Sequence, residues 1–140
     1  MTTIGTCRLY RPDPTSVGVD EQWGRAGVTA VRAPRSLVLC VHGEVDASNA
    51  GRLAGYVERH VAIAGTLVLD TSTVDFFGAP ALAVLHRVDH GCARNGVRWR
   101  LVAGPALRRV MRACGTTGLP QSDDLPSALS ELGSTPSPLR

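Results

Sequence analysis

One stretch, LVLDTSTVDFFGAPALAVLHRV at residues 67–88, leaves few folds open. It begins in TLVLDT, a near-continuous apolar run of the kind found in strands covered on both faces. Beyond the corner FFGAPA, Ala81, Val84, Leu85, Val88 and Cys92 fall at i, i+3, i+4, i+7 and i+11, the stripe of an amphipathic helix. A buried strand that turns into a helix calls for a sheet with helices packed on it. Corners of this kind often hold the working residue of an α/β protein. This one offers only Phe, Gly, Ala and Pro, none of them a catalytic side chain.

The flanking sequence extends the pattern. VTAVRA and SLVLCVHG read as two strands joined by a short turn at Pro34 and Arg35, close enough to pair antiparallel. Asp46 or Ser48 is expected to cap the next helix, in which Ala50, Leu53, Val57 and Val61 form one stripe. Gly51 and Gly55 each weaken it by up to about 1 kcal/mol relative to Ala, so packing has to hold it. Asn95 and Gly96 predict a left-handed cap at the end of the following helix. VRWRLVA is a further strand. Pro105 opens a helix whose inner face is Leu107, Val110, Met111 and Cys114, and Gly115 ends it. QSDDLPSALSELG supplies a last short helix capped by Asp123 or Asp124.

The order predicts a single α/β domain over residues 26–133, a mixed and mostly parallel sheet of about four to five strands packed with about four helices. Residues 1–25 read as an N-terminal extension that adds an edge strand near residues 4–10 or lies over the domain, and residues 134–140 as a flexible tail.

Composition narrows function by exclusion. Lys and Arg total 15, and every one is Arg. A complete P-loop NTPase, a protein kinase and a pyridoxal-phosphate enzyme each need a lysine amine, so all three are excluded. The net charge of +3 is too small to imply nucleic acid, and direct nucleic-acid binding is not expected. Cys7, Cys40, Cys92 and Cys114 show no CxxC spacing. Cys40 lies in an apolar strand and Cys92 and Cys114 on apolar helix faces, so buried free thiols in a reducing compartment are expected. MTTIGTCRLY lacks the apolar segment of a signal peptide, and no run approaches the roughly 20 residues that span a bilayer, so a cytoplasmic protein with no membrane contact is expected.

No chemical site emerges. Asp70 ends a buried strand, where capping a turn is its expected role, with the hydroxyls of Thr71, Ser72 and Thr73 beside it. His86 and His90 share a helix face but lack a third ligand at a telling distance. No nucleophile elbow, paired catalytic carboxylates or glycine-rich phosphate loop is present. No cofactor, metal or enzymatic activity is expected. Arg98 and Arg100 share one side of a strand, and Arg108, Arg109 and Arg112 the outer side of a helix; a solvated basic face is the expectation for both sets.

The chain resembles the STAS domain family of bacterial anti-sigma factor antagonists over roughly residues 28–132. VHGEVDASNAGRL is similar to that family's Gly-Glu-aliphatic-Asp after a strand, followed by a helix. LVLDTSTVDFFGAPALAVL is similar to its apolar strand, Asp, short turn, Val-x-Phe and helix-opening corner. GVRWRLVAGPALRRVMRACGTTGL is similar to its strand and a helix ending near Gly-Leu. The resemblance implies a protein that binds an anti-sigma factor of kinase-like fold and so frees a sigma factor. It implies a partner surface of Glu44, Asp46, Ser48, Asn49, Asp75, Phe76, Phe77, Gly78, Ala79, Pro80 and Ala81. If the segment is extended, Phe76 and Phe77 point apart, one into the core and the other outward as an anchor.

The family's switch is a corner serine, usually in Asp-Ser-Ser-Gly, whose phosphorylation blocks binding. Aligning Val74, Phe76 and Leu82 puts Gly78 at the acidic position, Ala79 at the first serine, Pro80 at the phosphoacceptor and Ala81 at the glycine. Neither Ala79 nor Pro80 can carry phosphate, so binding is expected to be constitutive or controlled elsewhere. A scaffold or small-ligand sensor without an anti-sigma partner is the alternative. Self-association into a homodimer stays open.

Overall fold

Leu39 and Val41 on one strand, Leu67 and Leu69 on the next and Trp99 and Leu101 on a third share one buried cluster, while Val38, Val68 and Val102 share another. Alternate residues of a strand point to opposite faces, so a sheet with both faces covered produces this division. The computed structural model describes residues 20–33 and 35–133. The edge strand expected near residues 4–10, Cys7, Pro34 and the tail lie outside the described residues.

The elements run β1 (Glu21–Trp23), β2 (Ala26–Arg32), β3 (Leu37–Val45), α1 (Ala50–Val61), β4 (Thr66–Phe77), a 3-10 turn (Ala79–Leu82), α2 (Ala83–Asn95), β5 (Arg98–Val102), α3 (Pro105–Cys114), β6 (Gln121–Ser122) and α4 (Leu125–Gly133). Among the described residues the strands form one sheet in the order β1-β2-β3-β4-β5-β6. The first three pair antiparallel, and β3 to β6 pair parallel. Six strands exceed the expected four to five because β1 and β6, of three and two residues, are too short to show a period. β1 falls inside the stretch expected to be an extension.

Helices α1 and α2 pack together over one face, with Leu53, Val57, Val84, Leu85 and Val88 in the larger cluster. Leu107 and Met111 join it from α3. Helix α4 covers the other face through Ala128 and Leu132. Gly96 and Gly115 sit at φ 66° and 67°, the left-handed caps that end α2 and α3 as expected. Asp124 Oδ1 accepts the Ser127 N–H at the head of α4.

Four expectations need correction. Neither Asp46 nor Ser48 caps α1; Asn49 holds the N-cap position and makes no side-chain capping bond. Cys114 is exposed, because α3 turns only Ala106, Leu107 and Met111 fully inward. Asp70 Oδ1 accepts the Ser72 N–H at 2.9 Å, the bond expected of it, but Asp70 to Thr73 do not turn the chain. They continue β4, which absorbs extra residues as irregularities opposite Cys40 to Glu44 of β3. Lastly, Arg98, though exposed, and half-buried Arg100 are not free cations of a solvated face. Arg98 donates to the carbonyls of Glu131 and Leu132, and Arg100 donates to Ser122 Oγ and the Gln121 carbonyl and pairs with Glu131. They fasten α4 and β6 to β5.

Candidate functional site

Parallel β3, β4 and β5 bring their C-terminal ends to one edge, where open α/β sheets receive ligands. Three connections leave from there: the loop before α1, the corner before α2 and the link before α3. The β3 to β4 register places Glu44 opposite Phe76 and Val45 opposite Phe77. Gly78 N–H donates to the Val45 carbonyl at 2.8 Å. A Cβ built on Gly78 would lie 3.4 Å from the Phe76 ring and 3.7 Å from both Asp46 Cα and Pro80 Cδ. The loop and the corner are thus one surface.

Within it the side chains divide by exposure. Phe77 is 3% exposed and Phe76 51%, so the strand sends one ring into the core and the other to solvent. Asp75, Ala79 and Pro80 are exposed; Gly78 and Ala81 are buried. The corner closes on an Ala81 N–H to Gly78 carbonyl bond of 2.9 Å, with Pro80 in the first turn, where its missing N–H costs nothing.

On the loop, Glu44 pairs with Arg25 at 3.0 Å. Asp46 Oδ1 accepts the Ser48 hydroxyl at 2.6 Å and the Ser48 N–H at 2.9 Å. These bonds, the hydroxyl foremost, hold the Asp46 carboxyl below its usual range. Asn49 is buried. Its amide N–H donates to the Glu44 carbonyl at 2.9 Å, and its carbonyl oxygen accepts the Asp46 N–H at 3.0 Å. Asn49, Phe77 and Ala81 therefore face inward and shape the surface rather than meet what lies outside it.

The third connection was missed in the sequence. Buried Thr71 donates to the Val102 carbonyl at 2.9 Å and accepts the Gly104 N–H at 3.4 Å. A Cβ on Gly104 would lie 2.7 Å from Ser72 Cα, so only glycine lets the link run this close to β4. That contact seats α3 beside the corner. A glycine before a helix-opening proline was the available signal.

Hydroxyls near the corner are already engaged. Ser72 donates to Asp70 Oδ1 at 2.6 Å, Thr73 to the Val41 carbonyl at 3.2 Å and Ser48 to Asp46. Elsewhere, burial pushes the Cys92 thiol up to about 11 and raises that of Cys40, with the Asp70 carboxylate adding to the latter. His86 and His90 are exposed on α2. Among the described residues no group of three metal-binding side chains assembles, and no helix is long and apolar enough to cross a membrane.

A mixed-sheet α/β domain with its candidate surface at the ends of parallel strands is the class that fold and site define. Residues 28–124 match the STAS domain, and the chain belongs to that family. Osmosensory protein A of Mycobacterium tuberculosis is 32% identical over 94 residues, covering 67% of this chain and 58% of that protein, so the match spans less than two thirds of that relative's length. Anti-sigma-F factor antagonist RsfA of the same species is 34% identical over 100 residues, covering 68% of this chain and 78% of RsfA. The crystal structure of an anti-sigma factor antagonist from Mycobacterium paratuberculosis superposes with a TM-score of 0.70 at 27% identity, covering 78% of this chain and 95% of that one.

Proposed function

We propose that the chain is an anti-sigma factor antagonist. It binds an anti-sigma factor of kinase-like fold in the cytoplasm and so releases a sigma factor, without catalysis and without touching nucleic acid. The observation that carries this is the joining of loop 44–48 and corner 75–80 into one exposed surface around Phe76, in a chain of the STAS family. Glu44, Asp46, Ser48, Asp75, Phe76, Ala79 and Pro80 are its outer residues; Asn49, Phe77, Gly78 and Ala81 hold their positions. A half-exposed aromatic ring amid small residues suits a docking anchor, because a partner's backbone can approach closely around it.

The corner has no charge switch. Ala79 and Pro80 cannot be phosphorylated, and the nearby hydroxyls of Ser48, Ser72 and Thr73 are tied within the chain. Binding is therefore not gated at the family's phosphoacceptor position, and is constitutive or controlled elsewhere. The test is a pull-down with the purified chain from its own cells, then titration of the chain into the kinase-like anti-sigma factor recovered, with and without its sigma factor. Saturable binding that displaces the sigma factor supports the function, and recovery of no anti-sigma factor refutes it. Phosphopeptide mapping after incubation with the anti-sigma factor and ATP is expected to show no phosphate over residues 71–81. Stoichiometric phosphate on Ser72 or Thr73 that abolishes binding would decide against constitutive binding and for control displaced from the family position.

A further inference from the structure

The surface around Phe76 does not stop at the corner. A groove of about 310 Å³ runs from Phe76 and Ala79 to α3, whose Ala106, Val110 and Ala113 form its far wall. Small side chains on both sides leave it open to solvent. Asp75 and Arg109 also line it, yet they form no ion pair with one another.

Position, not charge alone, marks Arg109: Arg32, Arg35, Arg52, Arg94 and Arg112 are likewise exposed without a side-chain partner among the described residues, but Arg109 is the one that lines the groove. Elsewhere among the described residues, Arg25, Arg59, Arg87 and Arg100 each pair with a glutamate at 2.8–3.1 Å. Arg108 donates to the Ala103 carbonyl. Arg109 is exposed and has no hydrogen-bond or ion-pair partner among the described residues, and α3 contains no acidic residue. Its guanidinium thus stands at an apolar groove with its full fork of donors unspent, a geometry suited to a carboxylate.

We infer that this groove receives an apolar side chain of the partner protein, and that a carboxylate next to that side chain in the partner pairs with Arg109. The inference rests on the proposed antagonist function and extends its surface onto a third element. Continuity with Phe76 points to a protein segment as occupant. The apolar walls take the side chain, Arg109 takes the acid, and Asp75 at the rim disfavours an acid on its own side, so the segment is oriented.

The test titrates the anti-sigma factor recovered from the chain's own cells with the full chain and four variants, Phe76→Ala among them, at two salt concentrations. Ala113→Trp fills the groove from an exposed helix position. Arg109→Glu reverses the charge, and Arg109→Lys keeps the charge but loses the fork. Binding is expected to weaken about tenfold or more for Ala113→Trp and for Arg109→Glu, and less for Arg109→Lys. The salt dependence of binding should also flatten for Arg109→Glu, a change that loss of packing alone does not produce. Circular dichroism melts confirm that each variant is folded. Wild-type affinity in both Ala113→Trp and Arg109→Glu, alongside weakened binding by Phe76→Ala, overturns the groove while the antagonist function stands. Recovery of no anti-sigma factor by the unaltered chain overturns both.

Discussion

Phe76 and Phe77 are neighbours of identical chemistry facing opposite ways, so truncating each in turn separates docking from folding. Phe77 is 3% exposed and part of the main core. Phe77→Ala removes the ring and leaves a cavity, and should cost about 3–5 kcal/mol of stability. Phe76 is 51% exposed, so Phe76→Ala gives up only the packing of half a ring, about 1 kcal/mol. For binding the order reverses. A Phe side chain offers roughly 200 Å², leaving about 100 Å² of Phe76 for a partner to cover. At about 25 cal/mol per Å² that is a ceiling near 2.5 kcal/mol, or roughly 70-fold in Kd. Losses of about 10- to 70-fold are expected for Phe76→Ala, read by titration calorimetry against the anti-sigma factor, with urea denaturation on the same samples. Phe77→Ala should be measured at low temperature, where its folded fraction can be quantified and the affinity corrected for it. Unchanged affinity in Phe76→Ala refutes the anchor. Equal destabilisation by the two substitutions refutes the assignment of their faces.

Gly104→Ala places a Cβ 2.7 Å from the Ser72 Cα and from the Thr71 and Ser72 carbonyl oxygens, backbone atoms that cannot swing away. It should destabilise by about 1–3 kcal/mol in urea and weaken partner binding beyond its effect on folding, since α3 must shift from the corner; a neutral result refutes the close seat. Burial pushes His60 below its usual pKa of 6.5, against the bond from its Nδ1–H to the Tyr56 carbonyl. The unfolded chain then binds the proton more tightly, so this contribution is fully present above about pH 6.5 and is lost as pH falls toward the folded-state value. Urea midpoints across pH should show that slope, and His60→Phe should flatten it. Arg100→Ala removes the bonds to Ser122 Oγ and the Gln121 carbonyl and the ion pair with Glu131, leaving of that cluster only the bond from the Ser122 hydroxyl to Glu131, and should cost about 1–2 kcal/mol and speed amide exchange in α4 first.

What was legible followed from periodicity and from residues with one backbone role. The stripe from Ala81 to Cys92 required a helix, and Gly96 and Gly115 could end helices at positive φ as few residues can. What was hidden depended on partners distant in the chain. Asp70, Thr71, Ser72 and Thr73 have turn-like composition, yet β4 keeps them because other groups satisfy them: the Val102 carbonyl for Thr71, the Val41 carbonyl for Thr73 and Asp70 for Ser72. Arg98 and Arg100 alternate like any solvated edge until α4 folds back over them. The two halves of the candidate surface were each visible as motifs, but it is the β3–β4 pairing of Glu44 with Phe76 and Val45 with Phe77, and the Gly78 N–H on the Val45 carbonyl, that join them. The wall contributed by Val110 and Ala113 carried no motif, because a groove belongs to two elements and neither records it alone.

If the corner docks a partner and lacks only its switch, then Pro80→Ser should install one. Pro80 is exposed in the first turn of the 3-10 segment, and the turn is closed by the Ala81 N–H on the Gly78 carbonyl, a bond that does not involve the proline ring. Serine fits such a first turn, so the fold should persist with less than about 1 kcal/mol of loss. Pro80 Cδ lies 3.7 Å from the Gly78 Cβ position, which itself lies 3.4 Å from the Phe76 ring. A phosphate on a serine there adds about −1.5 to −2 charges beside the anchor, near Asp46 and Asp75. The unphosphorylated variant should bind like the unaltered chain, and the phosphorylated variant should lose binding by about a hundredfold, as charge is desolvated against an apolar contact. Pro80→Glu supplies part of that charge without a kinase and should give a smaller loss of the same sign. Full affinity in both phosphorylated Pro80→Ser and Pro80→Glu would mean that the partner docks away from the corner, whatever the family resemblance of its shape.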